Sequence, residues 1–260
     1  MAKLPEAGNS RGGKSMIRMI KGEWKKMKHT PLLYLHLWIP LLAPAVFLLY
    51  FRYAPWEPEQ EVCAYAEVLG IAYPLVSAII SQLSVELEEP GHCQLLLLGQ
   101  ERKWKAFAGK WTALLILSFG AAVTAVAGFG FLYGPLTGDS PFQMGLYVLL
   151  ALALWGGQIP IYLLHLMLGL VSGRGVSIII GVGEAVLAAL FLTGLGDGRW
   201  MFLPCAFSGR WSSYLLLYER NLREAADLRG EFLLSAAVTV LAAAAVFIWY
   251  SFYEGRRYSD

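Results

Sequence analysis

Six long apolar segments constrain this chain more than any other feature. They fall near residues 32–53, 62–84, 106–133, 143–171, 176–196 and 231–253, and each supplies the roughly 20 residues a helix needs to cross a bilayer. In lipid every backbone N–H and C=O must be satisfied within the protein, which leaves helices and closed barrels as the spanning structures. These runs far exceed the roughly 10 residues of a barrel strand. The expected fold class is therefore all-α integral membrane, with six transmembrane helices. Composition agrees: 57% of the 260 residues are hydrophobic and only 15% charged, against about 25% charged in soluble domains. The third and fourth segments are long enough to tilt or to run past the membrane. Aromatic residues gather at segment ends (Tyr50, Phe51, Tyr53 and Trp56; Trp249, Tyr250, Phe252 and Tyr253), as in interfacial belts.

Lysine and arginine set the orientation. With the N-terminus in the cytoplasm, the inside segments hold 15 of the 21 basic residues, and no lysine falls outside. The positive-inside rule then predicts both termini in the cytoplasm. The basic N-terminal region is too long for a cleavable signal, and the first span lacks a small-residue cleavage site. Residues 1–14 are Gly-rich and polar, the composition of a disordered tail. Over 15–30, capped by Ser15, the residues Met16, Ile17, Ile20, Trp24 and Met27 recur at helical spacing. Arg18, Lys21, Lys25, Lys26 and Lys28 fall opposite them, so an amphipathic helix lying in the membrane interface is expected. Residues 31–255 then read as a single membrane domain.

Two connections are unusual. The stretch Glu86 to Lys110, on the cytoplasmic side, carries an acidic cluster (Glu86, Glu88, Glu89), a Pro-Gly break, four leucines (Leu95 to Leu98) and a basic ramp (Arg102, Lys103, Lys105, Lys110). The plainer alternative is a solvated loop with an incidental leucine run, for which four consecutive leucines are an odd choice. They are expected to rest on the bilayer or to enter a groove of another protein, as amphipathic helices do. The external loop 197–230 is the only long one outside. Its first half is too aromatic to be a free linker and is expected to dip into the membrane or to pack on the helix tops. Its second half, Glu219 to Glu231, mixes charges at i,i+4 spacing and reads as a short solvated helix.

Other motifs carry less. Gly8 to Ser15 satisfies the phosphate-loop pattern G-x-x-x-x-G-K-[ST], but no strand delivers it and no nucleotide-binding domain fits around it, so it reads as coincidence. Four ionisable groups lie within spans: His36, Glu67, His165 and Glu184. Such groups are costly in lipid and are functional candidates for that reason. Glu184, near mid-depth, could face a substrate path or a partner helix, or be a protonated, hydrogen-bonded packing residue; the histidines read as neutral and packed. Three cysteines (Cys63, Cys93, Cys205) match no zinc spacing; a Cys63–Cys205 bridge is conceivable, three unpaired thiols the plainer reading. No metal site is expected. Gly130-x-x-x-Gly134 and Gly169-x-x-x-Gly173 permit close helix contact, and Gly156, Gly157 and Pro160 are expected to loosen or kink the fourth span.

The opening Ile20-Lys-Gly-Glu23-Trp-Lys-Lys-Met-Lys28-His-Thr-Pro31 with Leu35-His36-Leu-Trp-Ile-Pro40, the loop Glu86-x-Glu88-Glu89-x-Gly91-x-x-Gln94-x-Leu96-Leu97, and Arg102-Lys103 through Gly109-Lys110 together resemble the permease subunits of ABC-2-type exporters. More narrowly they are similar to the lantibiotic-immunity branch, closer to its G-type than its E-type permease. The resemblance spans nearly the whole chain; Gly99 departs from it, standing where a proline is expected after the leucines.

The resemblance implies a multi-pass subunit of a bacterial plasma membrane that performs no catalysis itself. It implies a separate cytoplasmic ABC ATPase, in two copies, that binds the ATP and Mg, and a second six-span permease. This chain would bind no cofactor, and no nucleic-acid partner is expected. By position, the cytoplasmic coupling helix between spans two and three would lie in a coupling loop over 86–105. Leu95, Leu96, Leu97 and Leu98 would enter the ATPase groove, Gln94 beside them, with Glu86, Glu88, Glu89 and Lys103 fixing orientation. The implied substrate is a cationic, membrane-active peptide taken from the outer leaflet, with Glu184, Trp200, Pro204 and Trp211 as the candidate path. The main alternative is an ABC-2 permease exporting another amphipathic drug or lipid. An ion- or proton-coupled carrier using Glu184 and His165 lacks the inverted repeat expected there, and an intramembrane glutamic protease lacks the required motif after Glu88-Glu89.

Overall fold

The computed structural model describes residues 9–54, 56–89, 103–138, 140–222 and 225–255, with side chains for all of these except 9–15 and 225–228. Among the described residues the protein is all-helical. The N-terminal helix α1 (Asn9–Met27) is followed by α2 (Pro31–Phe51), α3 (Pro58–Glu86), α4 (Lys103–Thr137), α5 (Met144–Ser172), α6 (Arg174–Phe191), α7 (Pro204–Glu219) and α8 (Ala225–Phe252). Two short 3-10 turns, Gly194–Gly196 and Trp200–Phe202, connect α6 to α7. Six of these helices, α2 to α6 and α8, are long and apolar enough to cross a membrane.

Local chemistry explains the boundaries. Proline occupies the first turn of α2, α3 and α7, where its missing N–H costs nothing and its fixed φ suits a helix start. His29 (φ 67°) ends α1, and Gly173 (φ 80°) separates α5 from α6; the latter is a left-handed position that glycine fills without strain. The phosphate-loop-like residues from Asn9 to Ser15 are already helical, so α1 begins six residues before the expected Ser15. The 35 residues of α4 span about 52 Å at 1.5 Å each, well beyond a hydrocarbon core of about 30 Å. Its first turns lie instead against α1.

The bundle has two large buried clusters and a smaller one around Trp200, Phe207 and Tyr214. At the end that bears α1, Met27, Leu32, Phe107, Leu114, Leu166 and Tyr250 pack together. At the other end Phe51, Tyr65, Phe129, Tyr133, Tyr147 and Leu216 do so, with Tyr65 stacked on Phe129 at 4.0 Å. Outside these cores, apolar side chains point outward over whole helices, among them Val46 and Leu49 on α2, Ile179 and Val186 on α6, and Val240 and Leu241 on α8. In water such surfaces would aggregate; against lipid tails they are the expected exterior.

The aromatic first half of the 197–230 connection folds back into the bundle as α7, wedged between α3 and α5. Glycines permit this. A Cβ on Gly70 would lie 2.5 Å from the Gly209 Cα, and one on Gly157 would strike the Ser208 backbone. Gly156 and Gly157, expected to loosen the fourth span, thus admit α7 instead, and α5 continues unbroken through Pro160. The expected separate helix over 219–231 is not formed. Asn221 (φ 54°) turns the chain, and α8 then runs from Ala225 into the membrane as a single helix that continues through Gly230 with no proline to stop it.

Candidate functional site

The polar groups of α1 and the α3–α4 connection converge at one end of the bundle. Along α1, Met16, Ile20, Glu23 and Met27 share a face (i, i+4, i+7, i+11), so Glu23 interrupts an otherwise apolar stripe. Along α4, Lys110 does the same among Ala106, Phe107, Ala113 and Leu114. The two stripes meet. The Lys110 Nζ lies 2.6 Å from Glu23 Oε2 and 2.9 Å from Glu88 Oε1, and it donates to the Ser84 carbonyl at 3.1 Å. Lys26 bridges the same acids, 2.7 Å from Glu23 Oε1 and 2.7 Å from Glu88 Oε1. Two carboxylates and two ammonium groups cancel, and the three protons of Lys110 all find acceptors. That is what a lysine only 1% exposed requires.

The charges hold one another ionised. Burial alone would raise the Glu88 carboxyl, but Lys110 and Lys26 outweigh it and keep its pKa below 4.5. Burial alone would lower Lys26, but its bonds to Glu23 and Glu88 raise it above 10.5. This cluster pins both feet of the segment between α3 and α4: Glu88 lies just before it, and Lys110 two turns after Lys103. A further pair, Glu86 to Arg174 at 3.2 Å, ties the end of α3 to the start of α6.

The acidic residues grouped by the sequence therefore part ways. Glu88 faces inward and is sealed, Glu86 is half-buried, and Glu89 is exposed. Lys103 is half-buried at the start of α4. Lys110, read as the top of a basic ramp, is a core residue, because Glu23 sits opposite it. Gln94 and Leu95 to Leu98 lie outside the described residues, as does Cys93.

The in-span groups also find partners. His36 Nδ1 donates to the Leu32 carbonyl at 2.8 Å, and Glu67 lies near Arg210. His165 is completely buried, with Ser177 Oγ 2.9 Å from its Nδ1 and Glu184 Oε2 2.8 Å from its Nε2. Ser177, Gly181, Glu184 and Ala188 form the inward stripe of α6, and Gly181 lets that stripe approach Ala78 of α3. His165 and Glu184 thus satisfy one another inside the bundle. Ser177 and His165 are both fully sealed, which leaves a substrate carbonyl no approach to the hydroxyl.

Of the other proposed path residues, Trp200 is also fully buried, edge-on to Phe207 and Tyr214, while Trp211 stacks on Phe207 and donates to Ser235 Oγ at 3.1 Å. Pro204 starts α7. Glu184 on α6 and Pro204 on α7 stand on helices that are in contact. Cys63 and Cys205 are free thiols. Arg210, counted among external arginines, is buried: it donates to the Phe191 and Thr193 carbonyls, capping α6, and pairs with Asp197 at 2.9 Å. Among the described residues no group of three or more potential metal ligands converges.

The sequence reading missed Glu23, Ser84, Ser177 and Arg210 as partners. A readable signal existed for Glu23 and Lys110, since each stands alone on an apolar helical stripe. None existed for Ser84, whose carbonyl and hydroxyl oxygens both accept from Lys110.

Fold and polar groups together define an all-α, multi-pass membrane protein with a charge-clamped helix at one end and a helix folded back into the bundle from the other. Comparisons with family models, curated proteins and solved structures find no match to this chain.

Proposed function

We propose that the chain is the permease subunit of an ATP-driven exporter of the ABC-2 type, which confers self-immunity by expelling a lantibiotic-type cationic peptide from the membrane. The observation that carries this reading is the Glu23–Lys26–Glu88–Lys110 cluster. It joins the interfacial helix α1 to both feet of the leucine-bearing segment 90–102, so a push on that segment is delivered to α1, α3 and α4 together. A flexible loop would absorb the push; a clamped one transmits it. In this reading α1 lies at the cytoplasmic headgroups, both termini face the cytoplasm of a bacterial plasma membrane, and Leu95 to Leu98 dock into a separate ATPase that binds ATP and Mg. A second six-span permease completes the path against the lipid-facing helices.

The test is retention of a lanthionine-containing cationic peptide by cells carrying this permease with its ATPase. Cell-associated peptide is expected to fall several-fold, and to return when the ATPase cannot hydrolyse ATP. Equal retention with and without the permease would refute the reading; clearance of an unrelated amphipathic drug or lipid instead would favour the broader export role. The Ser177–His165–Glu184 chain favours a second reading, a proton-coupled carrier, which predicts that Glu184→Gln abolishes transport without ATP dependence.

A further inference from the structure

A cavity of about 40 Å³ lies between α2, α3, α4 and α5, where the two large buried clusters meet: Leu69 and Ala125 on its wall belong to one, Ile80 and Tyr162 to the other. Its wall is apolar except for a few groups, chiefly His36, Tyr73, Gln158 and Tyr162, and it carries no aspartate, glutamate, lysine or arginine. Two of its polar atoms are sealed from solvent: the His36 Nε2, which has no hydrogen-bond partner, and the Tyr73 hydroxyl, which has only Gln158 near it. His36 is only 8% exposed, and its Nδ1 must carry the hydrogen given to the Leu32 carbonyl. In the neutral ring Nε2 is therefore a bare acceptor. The Tyr73 hydroxyl brings a donor to the same wall. A sealed acceptor without a donor, with a phenol hydroxyl on the same wall, is costly to leave unpaired and matches a hydroxyl group, which both donates and accepts.

Two further features point to an occupant. Pro40 lines the cavity, Pro74 follows Tyr73, and Pro160 stands between Gln158 and Tyr162. Each proline removes an intrahelical bond from the carbonyl four residues earlier. Backbone loosened in this way at membrane depth is tolerated where it lines a protein interior or a cavity. The mouth is set by Ile39, 40% exposed on the outer face of α2, and by the half-buried Ala121. Both lie within spanning helices, so the cavity opens sideways to lipid.

We propose that this cavity binds the hydroxyl end of an uncharged, alcohol-headed membrane amphiphile, entering between α2 and α4. The volume suits a hydroxyl and the first carbons, since a water needs about 10–15 Å³ on the same measure. The rest of the chain lies along the mouth at Ile39. The absence of charged wall residues excludes phosphate and ammonium headgroups from the interior. This site stands whether or not the chain serves an exporter.

The experiment photolabels the purified full-length protein with a diazirine-bearing octanol and maps the adducts by mass spectrometry. Saturable labelling is expected on peptides containing Ile39 or Tyr73, competed by octanol and not by octane. Tyr73→Phe, which removes one oxygen and should leave the fold intact, and His36→Leu are each expected to raise half-saturation about three- to tenfold. His36→Gln, which retains an acceptor at a similar distance along the side chain, is expected to restore labelling. Non-saturable labelling, equal competition by octane, or labelling unchanged in both Tyr73→Phe and His36→Leu would overturn the proposal.

Discussion

At the scale of single residues the largest energies are in the four-charge cluster. Breaking a buried ion pair by removing one partner typically costs about 3–5 kcal/mol, mostly from the charge left unpaired. Lys110→Met strands Glu23 and Glu88 against Lys26 alone, so a loss of that order in unfolding free energy in detergent is expected. The double variant Glu23→Gln/Lys110→Met leaves the neutral Lys26–Glu88 pair and should recover a substantial part. The pH dependence follows from the two directions of shift. A carboxylate held low when folded stabilises above its unfolded value and loses that contribution as pH falls through its folded value. A lysine held high stabilises below its unfolded value and loses that contribution as pH rises through its folded value. The cluster therefore keeps its full contribution between 4.5 and 10.5, and melting temperature should fall outside that window. In Lys110→Met, Glu88 loses a stabilising cation and the acid-side fall should begin at higher pH. Unshifted acid melts in that variant would show that the pairing in solution is weaker than the distances imply.

Among elements, α7 is the one whose place was hardest to foresee. Six apolar runs were legible because length alone distinguishes a span, and four of them lie within a few residues of their helices; the fifth ends early, at Phe191 rather than 196, where Arg210 caps it, and the sixth begins early, at Ala225 rather than 231. The aromatic excess of residues 200–218 announced that they would not be a free linker. It could not say that Gly70 and Gly157 had been kept small to receive them, because that is a relation between three distant stretches. Gly157→Ala should force α7 away from α5 and lower thermal stability by a clear margin. Gly128→Ala, whose new methyl meets nothing within 4 Å, should be neutral or slightly stabilising. Thermal melts of the two variants side by side check this: equal behaviour would mean that α7 is not held where the glycines place it. The same limit explains the candidate site. Glu23 and Lys110 could each be seen as a charge on an apolar stripe, but their pairing across 87 residues of sequence could not.

For the molecule as a whole, the charge count and the clamp point the same way. The end that holds α1, Lys26, Glu88, Lys103 and Arg174 is the end the positive-inside rule assigns to the cytoplasm. With the native cysteines replaced by alanine, single cysteines at Glu57 and Glu89 should divide: an impermeant maleimide on intact cells should label Glu57→Cys and leave Glu89→Cys untouched until the membrane is permeabilised. The reverse pattern would invert the protein and remove the basis for a cytoplasmic partner.

The proposed docking of Leu95 to Leu98 into an ATPase is tested most directly by co-purifying that proposed partner with the Leu96→Asp/Leu97→Asp variant. Two carboxylates in an apolar groove should abolish association, or reduce it at least tenfold, while the permease itself reaches the membrane at its normal level. Undiminished ATPase recovery, with ATP hydrolysis still stimulated by the permease, would contradict it.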